Sequence, residues 1–338
     1  MQLNKKIIFV VGNSRSGTTM MSRILGLNQN VHTLQEIHFF EWMIASQDLN
    51  KSISENNAII LLNKLIGIQV ESFYEQTNLL KYTEESKNII ATIKDSSYSA
   101  IDVYYYFLMY WTKKNNKKFP CEQTPKNLYY IDEILDNFEH AKIIHMVRDP
   151  RSILLSQKNK WKRKFLGEKE MPFFESIRAW TLYHPITIAK LWTSAINTTD
   201  NYDSTQVLTI KFEELLTNPE QYILKICTYC EIDFDKKMLD VPQVGSSIAK
   251  DEPNKQGIDH SKSSTWDKGA ISDTELYLMQ KIAKTQMEKL GYRIEKLQVN
   301  YLYLFYLYIT FPIKISVAIL LNMGRMKNII ETLKRRMK

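Results

Sequence analysis

The stretch that decides the fold lies near the start of the chain and reads Ile7-Ile8-Phe9-Val10-Val11-Gly12-Asn13-Ser14-Arg15-Ser16-Gly17-Thr18-Thr19. Its five consecutive apolar residues predict a short strand that is buried on both faces, as strands of parallel sheets are. A turn rich in glycine and serine follows, and the apolar spacing then predicts a helix over 18–27. Backbone N–H groups at a strand–turn–helix junction bind phosphate groups. The opening segment therefore predicts an α/β fold with an anion site.

The rest of the sequence continues the alternation of strands and helices. Further strands are predicted at 31–35, 142–147 and 206–211, with helical patterns between and after them. This alternation is typical of a mostly parallel sheet flanked by helices. We expect a three-layer, P-loop-like fold over 1–296, followed by a hydrophobic and basic helical tail over 297–338.

Composition narrows the function without deciding it. The net charge of +8 suits an anionic ligand, a nucleic acid or an anionic membrane surface. The three cysteines, Cys121, Cys227 and Cys230, are too few for a disulfide framework, and the last two form a CxxC spacing without a second pair for zinc. We interpret that pair as half-buried core residues of a helix. The apolar run at 7–11 is too short for a signal peptide, which favours the cytoplasm.

The first loop carries a cation in an unusual place for a nucleotide-binding turn. A kinase-type P-loop has Lys directly after its second glycine, where this chain has Thr18 after Gly17. Arg15 instead supplies a planar, permanent charge earlier in the turn. This arrangement favours a phosphate ligand other than the triphosphate of an ATP-hydrolysing enzyme.

A second candidate anion site follows the strand at 142–147. Arg148 stands at the carboxyl edge of that strand, where open α/β sheets bind ligands. Pro150 favours the first turn of a helix, and Ser156 falls about two helical turns after Arg148 on roughly the same face. Together Arg148 and Ser156 have the spacing to hold one phosphate.

The two loops, in this order, resemble those of sulfotransferases that use 3′-phosphoadenosine-5′-phosphosulfate (PAPS), and the resemblance covers roughly residues 6–294. It implies that Arg148 and Ser156 bind the 3′-phosphate. It also implies a 5′-phosphosulfate loop made of Arg15, Ser16, Gly17, Thr18 and Thr19, with Ser14 where proline is frequent. A third loop at 261–269 resembles the segment that closes the nucleotide site, and its candidates near the 3′-phosphate or base are Lys262, Ser263, Trp266 and Lys268.

Sulfuryl transfer to a hydroxyl needs a base for the hydroxyl proton and cations for the leaving phosphate. The segment that begins at Glu36 and reads Glu-Ile-His-Phe-Phe is similar to the segment that carries the catalytic glutamate in heparan-type sulfotransferases. This resemblance implies Glu36 as the base, with His38 as the second candidate and Arg15 stabilising charge. We expect Glu41, one turn further, to face solvent or substrate. Many relatives have Lys where this chain has Gln123, and Lys126 is the candidate replacement.

The tail at 301–321 is apolar and rich in tyrosine, but Pro312 and Lys314 interrupt it and basic residues follow it. A membrane span needs ~20 apolar residues, and tyrosine favours the membrane interface. We favour peripheral membrane contact, or packing of a helical hairpin on the domain, over a true span.

The sequence is thus interpreted as a sulfotransferase of the EC 2.8.2 class that moves the sulfuryl group of PAPS to a hydroxyl acceptor and releases PAP. The resemblance of Glu36-x-His38 to the glycan branch ranks a carbohydrate or glycolipid acceptor first. No metal and no nucleic-acid partner is expected, and the location is the cytoplasm or the inner membrane face. Two alternatives stay open: a P-loop nucleotide kinase or NTPase, and a non-catalytic anion-binding protein of the same fold.

Overall fold

The computed structural model describes residues 6–71, 78–94, 97–168, 171–245, 250–260, 266, 271–322 and 327–336. A five-stranded sheet forms its centre, with the strands β1 (Ile7–Gly12), β2 (Val31–Thr33), β3 (Phe119–Glu122), β4 (Ala141–Val147) and β5 (Val207–Lys211). The strands are all parallel and lie in the order β2-β3-β1-β4-β5. A separate antiparallel pair consists of β6 (Pro242–Gln243) and β7 (Glu252–Gln256).

Helices fill the chain between the strands. The α-helices of the described residues are α1 (Thr18–Gly26), α2 (Glu55–Glu71), α3 (Thr83–Ile90), α4 (Ala100–Lys114), α5 (Ile131–Asn137), α6 (Pro150–Lys158), α7 (Arg163–Leu166), α8 (Phe173–Leu182), α9 (Pro185–Thr199), α10 (Phe212–Thr217), α11 (Pro219–Cys230), α12 (Asp273–Lys289), α13 (Tyr301–Asn322) and α14 (Ile329–Arg336). Short 3₁₀ segments lie at Ser46–Asp48, Leu79–Tyr82, Pro125–Tyr130, Lys160–Lys162 and Lys236–Leu239, and a π-helix lies at Phe39–Met43.

The alternation of side chains along β1 explains the three layers. Successive strand residues point to opposite faces of a sheet. Ile7, Phe9 and Val11 accordingly pack on the face covered by α2 and α4, whereas Ile8 and Val10 pack on the face covered by α1 and α11. All six residues of β1 are buried. The predicted α/β architecture with a central parallel sheet is therefore confirmed.

The strand order determines which loops meet. Because every strand of the central sheet runs in the same direction, the carboxyl ends lie along one edge, where open sheets bind ligands. β1 lies between β3 and β4, and Gly12 at the end of β1 is paired with Met146 near the end of β4. The segments after β2, β3, β1 and β4 therefore form a row along that edge.

One strand of this sheet was not predicted. β3 is only four residues long and contains Pro120, and proline argues against a strand in the middle of a sheet because it cannot donate a ladder hydrogen bond. The cysteine pair is more buried than the half-buried state expected. Cys227 and Cys230 lie in α11 as free, buried thiols, and burial raises the pKa of Cys227 to about 11.

The tail is helical, and Pro312 does not interrupt α13. Of the helices described, α13 is the one long and apolar enough to cross a membrane by length and composition. The segment beyond it lies against the domain, where Arg335 of α14 donates a hydrogen bond of 2.6 Å to the backbone oxygen of Tyr129.

Candidate active site

The first loop depends on glycine at one position. Gly17 precedes α1 with a φ of 94°, a conformation that residues with a side chain rarely adopt. A Cβ atom built on Gly17 would lie 2.4 Å from the ring of Phe212. The loop can therefore approach α10 this closely only because residue 17 has no side chain.

Arg15 is the cation at the centre of the site. Its Nε donates a hydrogen bond of 2.8 Å to Ser156 Oγ, and its Nη2 donates one of 2.7 Å to the backbone oxygen of Gly245. Burial, followed by repulsion from Arg163 and Arg148, lowers the pKa of Arg15 to about 10. The guanidinium is still protonated at neutral pH, and this crowding of positive charge favours an anionic ligand.

The second loop lies directly beside the first. Arg148 Nη1 donates a hydrogen bond of 3.4 Å to the backbone oxygen of Arg15, and its guanidinium lies 4.5 Å from the ring centroid of Phe212. Trp192 Nε1 donates to the backbone oxygen of Arg148 at 3.0 Å. Burial lowers the pKa of Arg148 from its usual value. The structure thus places both Arg148 and Ser156 beside Arg15 of the first loop.

The first turn of α6 connects the second loop to Trp266. Asp149 caps α6 by accepting a hydrogen bond of 2.9 Å from the backbone N–H of Arg151 and also forms an ion pair with the Arg151 side chain. The guanidinium of Arg151 lies 4.0 Å from the ring centroid of Trp266. Trp266 therefore adjoins the second loop. The other candidates of the third loop, Lys262, Ser263 and Lys268, lie outside the described residues.

Two buried polar atoms of the first loop lack partners. Asn13 Nδ2 and Ser16 Oγ have no hydrogen-bond partner among the residues that the structure describes, and Ser16 is 1% exposed. Buried polar groups are nearly always hydrogen-bonded, so such atoms call for a ligand. Thr18 is buried beside them, whereas Thr19 is exposed. The first loop therefore fits a phosphate or sulfate group.

Glu36 follows β2 on the same edge of the sheet, and the strands β3 and β1 lie between it and the second loop. Its Oε1 accepts a hydrogen bond of 3.2 Å from Gln123 Nε2, and the same nitrogen donates at 3.2 Å to Thr18 Oγ1. Gln123 thus connects the carboxylate to the start of α1. The Glu36 side chain is 44% exposed, so an acceptor could reach its carboxylate from solvent.

The charge states of Glu36 and His38 differ. Burial favours a raised pKa for Glu36, but the hydrogen bonds from His38 and Gln123 and the charge of Lys160 outweigh it and lower the pKa from 4.5. His38 Nε2 lies 3.6 Å from Glu36 Oε2, and its ring stacks on Trp42 with the centroids 3.6 Å apart. Burial lowers the pKa of His38 from 6.5 despite the nearby carboxylate. At neutral pH, Glu36 is therefore ionised and His38 is largely neutral.

The comparison with protein families decides the class of this chain. The model described as "Sulfotransferase family" matches residues 8–236, which include both anion loops and the Glu36 segment. The chain belongs to the sulfotransferase family. Membership in this family supports sulfuryl transfer as the chemistry of the site.

Solved sulfotransferase structures share the fold. The sulfotransferase domain of the Synechococcus PCC 7002 olefin synthase is 19% identical with a TM-score of 0.51, over 86% of this chain and 96% of that domain. The sulfotransferase domain from the curacin biosynthetic pathway is 18% identical with a TM-score of 0.51, over 86% and 99%. An uncharacterized protein of Aquifex aeolicus is 22% identical over 242 residues, which are 70% of this chain and 27% of that protein.

The candidate site also contains a cation that the sequence motifs did not indicate. Lys160 belongs to the 3₁₀ segment after α6. Burial and the charge of Arg15 lower the pKa of Lys160, and Glu36 opposes them. Lys160 therefore lies within electrostatic range of both the first loop and the candidate base. Within the described ranges, no hydrogen bond or ion pair engages its ammonium group. Its position in the sequence, two residues after a helix that begins at the second loop, was the available signal.

One expectation about the segment after the base is wrong, and one candidate cation is engaged by a neighbouring carboxylate. Glu41 was expected to face solvent or substrate, but it is 3% exposed and pairs with Arg336 of α14. Lys126, the candidate replacement for the Lys absent at Gln123, forms a 2.9 Å ion pair with that same buried carboxylate. Lys126 and Arg336 thus share the Glu41 carboxylate, and Lys160 is a further candidate for the cation that the motif lacks at Gln123.

Proposed function

We propose that this protein transfers the sulfuryl group of PAPS to a hydroxyl acceptor, with Glu36 as the general base and PAP as the released product. The single observation that carries the proposal is the arrangement along one sheet edge. The hydrogen bond from Arg15 to Ser156 joins the two anion loops, and Gln123 joins the first loop to Glu36. A base and two adjacent anion sites are what an in-line sulfuryl transfer requires.

The residues present fit the donor PAPS at both of its ends. The buried, unpartnered Asn13 Nδ2 and Ser16 Oγ, together with Arg15, suit the oxygens of the 5′-phosphosulfate. Arg148 and Ser156 suit the 3′-phosphate, because Arg presents several donors in a plane that matches phosphate oxygens. The exposed Thr19 is the weakest of the proposed donor contacts.

In the proposed reaction, the Glu36 carboxylate takes the proton of the acceptor hydroxyl while the hydroxyl oxygen bonds to sulfur. The bond from sulfur to the 5′-phosphate oxygen breaks at the same time, and the electron pair stays on the phosphate. Arg15 and Lys160 stabilise that charge, since both are cations within range of the first loop. Such preorganised charges are worth most in a site with little water. His38, neutral and beside Glu36, orients the carboxylate in this scheme.

For the acceptor we propose a carbohydrate or a glycolipid, and for the location the cytoplasm. The support is the Glu36-x-His38 segment, which resembles the glycan branch of the family. Release of PAP from PAPS in the presence of a panel of free glycans and glycolipids tests this assignment, with small phenols and tyrosine peptides as the competing class. Faster release with the phenols or peptides would contradict it.

The donor proposal is tested by calorimetric titration with PAP in the absence of magnesium, with ADP as the control ligand. We expect PAP to bind more tightly than ADP. Arg148→Ala removes charge-assisted hydrogen bonds worth about 1.5–3 kcal/mol each, so it should weaken PAP binding by tenfold or more. Lys225→Ala, which removes an exposed cation on α11, should leave PAP binding unchanged. Preferential binding of ADP with magnesium would support a nucleotide kinase instead.

A further inference from the structure

Helix α13 is apolar on nearly every side, but only one of its faces packs on the domain. Leu307 is 4% exposed and clusters with Ile186 of α9 and Leu278 of α12. Tyr303, Leu304 and Phe311 pack against the same cluster. A helix that is apolar all round is normally surrounded by protein or lipid, and α13 has protein on one face only.

The other face of α13 is a stripe of exposed apolar side chains. The exposed fraction is 85% for Leu302 and 61% for Ile313. The members of this stripe follow helical spacing along one side, namely Leu302, Phe305, Tyr306, Ile309, Ile313 and Leu320. An exposed apolar surface of this length is rare on proteins that have no partner there.

A second exposed stripe, on α8, continues the first. It begins with the adjacent Phe173 and Phe174 and continues about one turn apart with Ile177 and Trp180, and all four are exposed. Lys314 of α13 lies 5.7 Å from the ring centroid of Trp180 and donates a hydrogen bond of 2.6 Å to the backbone oxygen of Thr181. Helix α8 also packs against the 3₁₀ segment that carries Lys160, so this second stripe lies on a helix that adjoins the candidate site.

We propose that the exposed stripes of α13 and α8 form one docking face for an anionic lipid bilayer, with α13 lying in the membrane plane. Tyrosine and tryptophan at the edge of an apolar face, next to lysine, suit the boundary between headgroups and acyl chains. Here Lys314 lies against the ring of Trp180, and the exposed Lys162 lies against the ring of Trp161. Anionic headgroups complement these cations and the net charge of +8.

The contacts of α13 determine its orientation in this proposal. Just before the helix, Asn300 donates a backbone hydrogen bond of 3.0 Å to Thr274 Oγ1, and midway His184 Nε2 donates to the backbone oxygen of Leu307 at 3.1 Å. Beyond the helix, Arg335 is bonded to the domain again. A helix that crossed a bilayer would place Arg335 on the side opposite the domain. Contacts before, along and after α13 therefore require it to lie along the surface.

The test is flotation of the full chain with phosphatidylcholine vesicles, with and without phosphatidylglycerol. We expect binding that is stronger with the anionic lipid and weaker at high salt. Ile309→Glu should lower the partition coefficient by roughly tenfold or more, because an isoleucine leaves the apolar phase and a charge enters it. The matched control is Ile60→Glu on α2. Ile60 is 54% exposed and Ile309 is 52% exposed, but Ile60 lies outside the docking face. Its binding should equal that of the unmodified chain.

Three results would overturn the proposal. The first is failure of the chain to float with vesicles, and the second is an equal loss of vesicle binding in the two glutamate variants. The third is a dimer in light scattering that Ile309→Glu dissociates and that vesicles leave unchanged. Trypsin added outside sealed vesicles checks the orientation. Cleavage at Lys327 or Lys334 supports an in-plane helix. If trypsin cleaves those sites only after the vesicles are lysed, the helix spans the bilayer. PAP titration of Ile309→Glu reports separately on the donor site, so failure of the membrane face and failure of the proposed function give different results.

Discussion

Replacement of Glu36 by glutamine is the sharpest test of the proposed chemistry. The pKa of Glu36 lies below 4.5 in the structure, so at pH 7.5 fewer than about one molecule in a thousand carries a protonated carboxyl group. Glu36→Gln therefore removes a base that is almost fully available. Its amide keeps the size of the side chain and an oxygen that can accept the hydrogen bond from Gln123.

The expected effect follows from the role of a positioned base. General base catalysis contributes roughly 10²–10⁴-fold in rate, or about 3–5 kcal/mol at 1.36 kcal/mol per factor of ten. Glu36→Gln should therefore lower kcat by that factor. PAP binding should change by no more than about threefold, because Glu36 lies on the acceptor side of the first loop and the loss of a negative charge does not oppose an anionic ligand.

The assay is PAP release from PAPS with the acceptor that gives the fastest rate in the panel, followed by PAP calorimetry on the same preparations. Arg148→Ala is the contrasting control, since it should lose PAP affinity whereas Glu36→Gln should keep it. His38→Gln separates the two candidate bases and should lower kcat by tenfold at most. If Glu36→Gln keeps more than a tenth of the activity, or if His38→Gln loses more than Glu36→Gln does, Glu36 is not the base.

The pH dependence supplies an independent check on the same residue. The ionised form of Glu36 is the active one, so activity limited by this group should be constant from pH 6 to 8 and should fall as the pH drops through the lowered pKa, below 4.5. A rate that falls already between pH 7 and 6 would indicate a base with a higher pKa and would contradict the assignment.

Three further predictions concern charge, backbone and stability. Lys160→Met should lower kcat roughly 100- to 1,000-fold if Lys160 stabilises the leaving phosphate, whereas Lys162→Met on the same 3₁₀ segment should have little effect on PAP release. Gly17→Ala should abolish measurable PAP binding because its Cβ would overlap the ring of Phe212. Gly257 also has a positive φ, of 100°, but open space around it, so Gly257→Ala measures the cost of backbone strain alone. Burial raises the pKa of Glu122 to about 7, so the native state holds that proton more tightly than the unfolded chain, and stability should fall by on the order of 3 kcal/mol as the pH rises from 4.5 to above 7. Urea unfolding at pH 5 and pH 8 should show this loss in the unmodified chain and a smaller one in Glu122→Gln.

Both anion loops were predictable from sequence because their chemistry is local. A buried strand, a glycine turn and a helix start determine where backbone N–H groups point, whatever the rest of the chain does. Arg15, Arg148 and Ser156 could therefore be assigned before the structure was known, and their hydrogen bonds confirm that they lie together. Gly17 was likewise recognisable, although its contact with Phe212 of a distant helix was not.

What could not be predicted depends on contacts between remote segments. Glu41 resembled a surface residue of a helix because the arginine that neutralises it, Arg336, is 295 positions away in the tail. Gly245 accepts a hydrogen bond from Arg15, and its own N–H donates to Asp251, which also pairs with Arg163. Neither glycine nor aspartate at these positions forms a pattern along the chain. Only the tertiary fold creates this support for Arg15.

The order of the strands also resolves the absence of lysine at Gln123. The sheet edge places Glu36 on the β2 side, Arg15 in the middle and Arg148 on the β4 side. In the proposed reaction, the sulfur between base and nucleotide therefore lies near Gln123 and Arg15. The neutral amide of Gln123 donates hydrogen bonds to both Thr18 and Glu36 and adds no charge beside Arg15. Lys160 lies in the segment after α6, and the charges of both Arg15 and Glu36 act on its pKa. The charge that many relatives supply from the strand end therefore comes, in this proposal, from Lys160 in the 3₁₀ segment after α6, the helix that starts at the second loop. On this reasoning, Gln123→Lys should not restore kcat in the Lys160→Met variant, because a lysine at position 123 would form an ion pair with Glu36 and compete with the acceptor hydroxyl for the base.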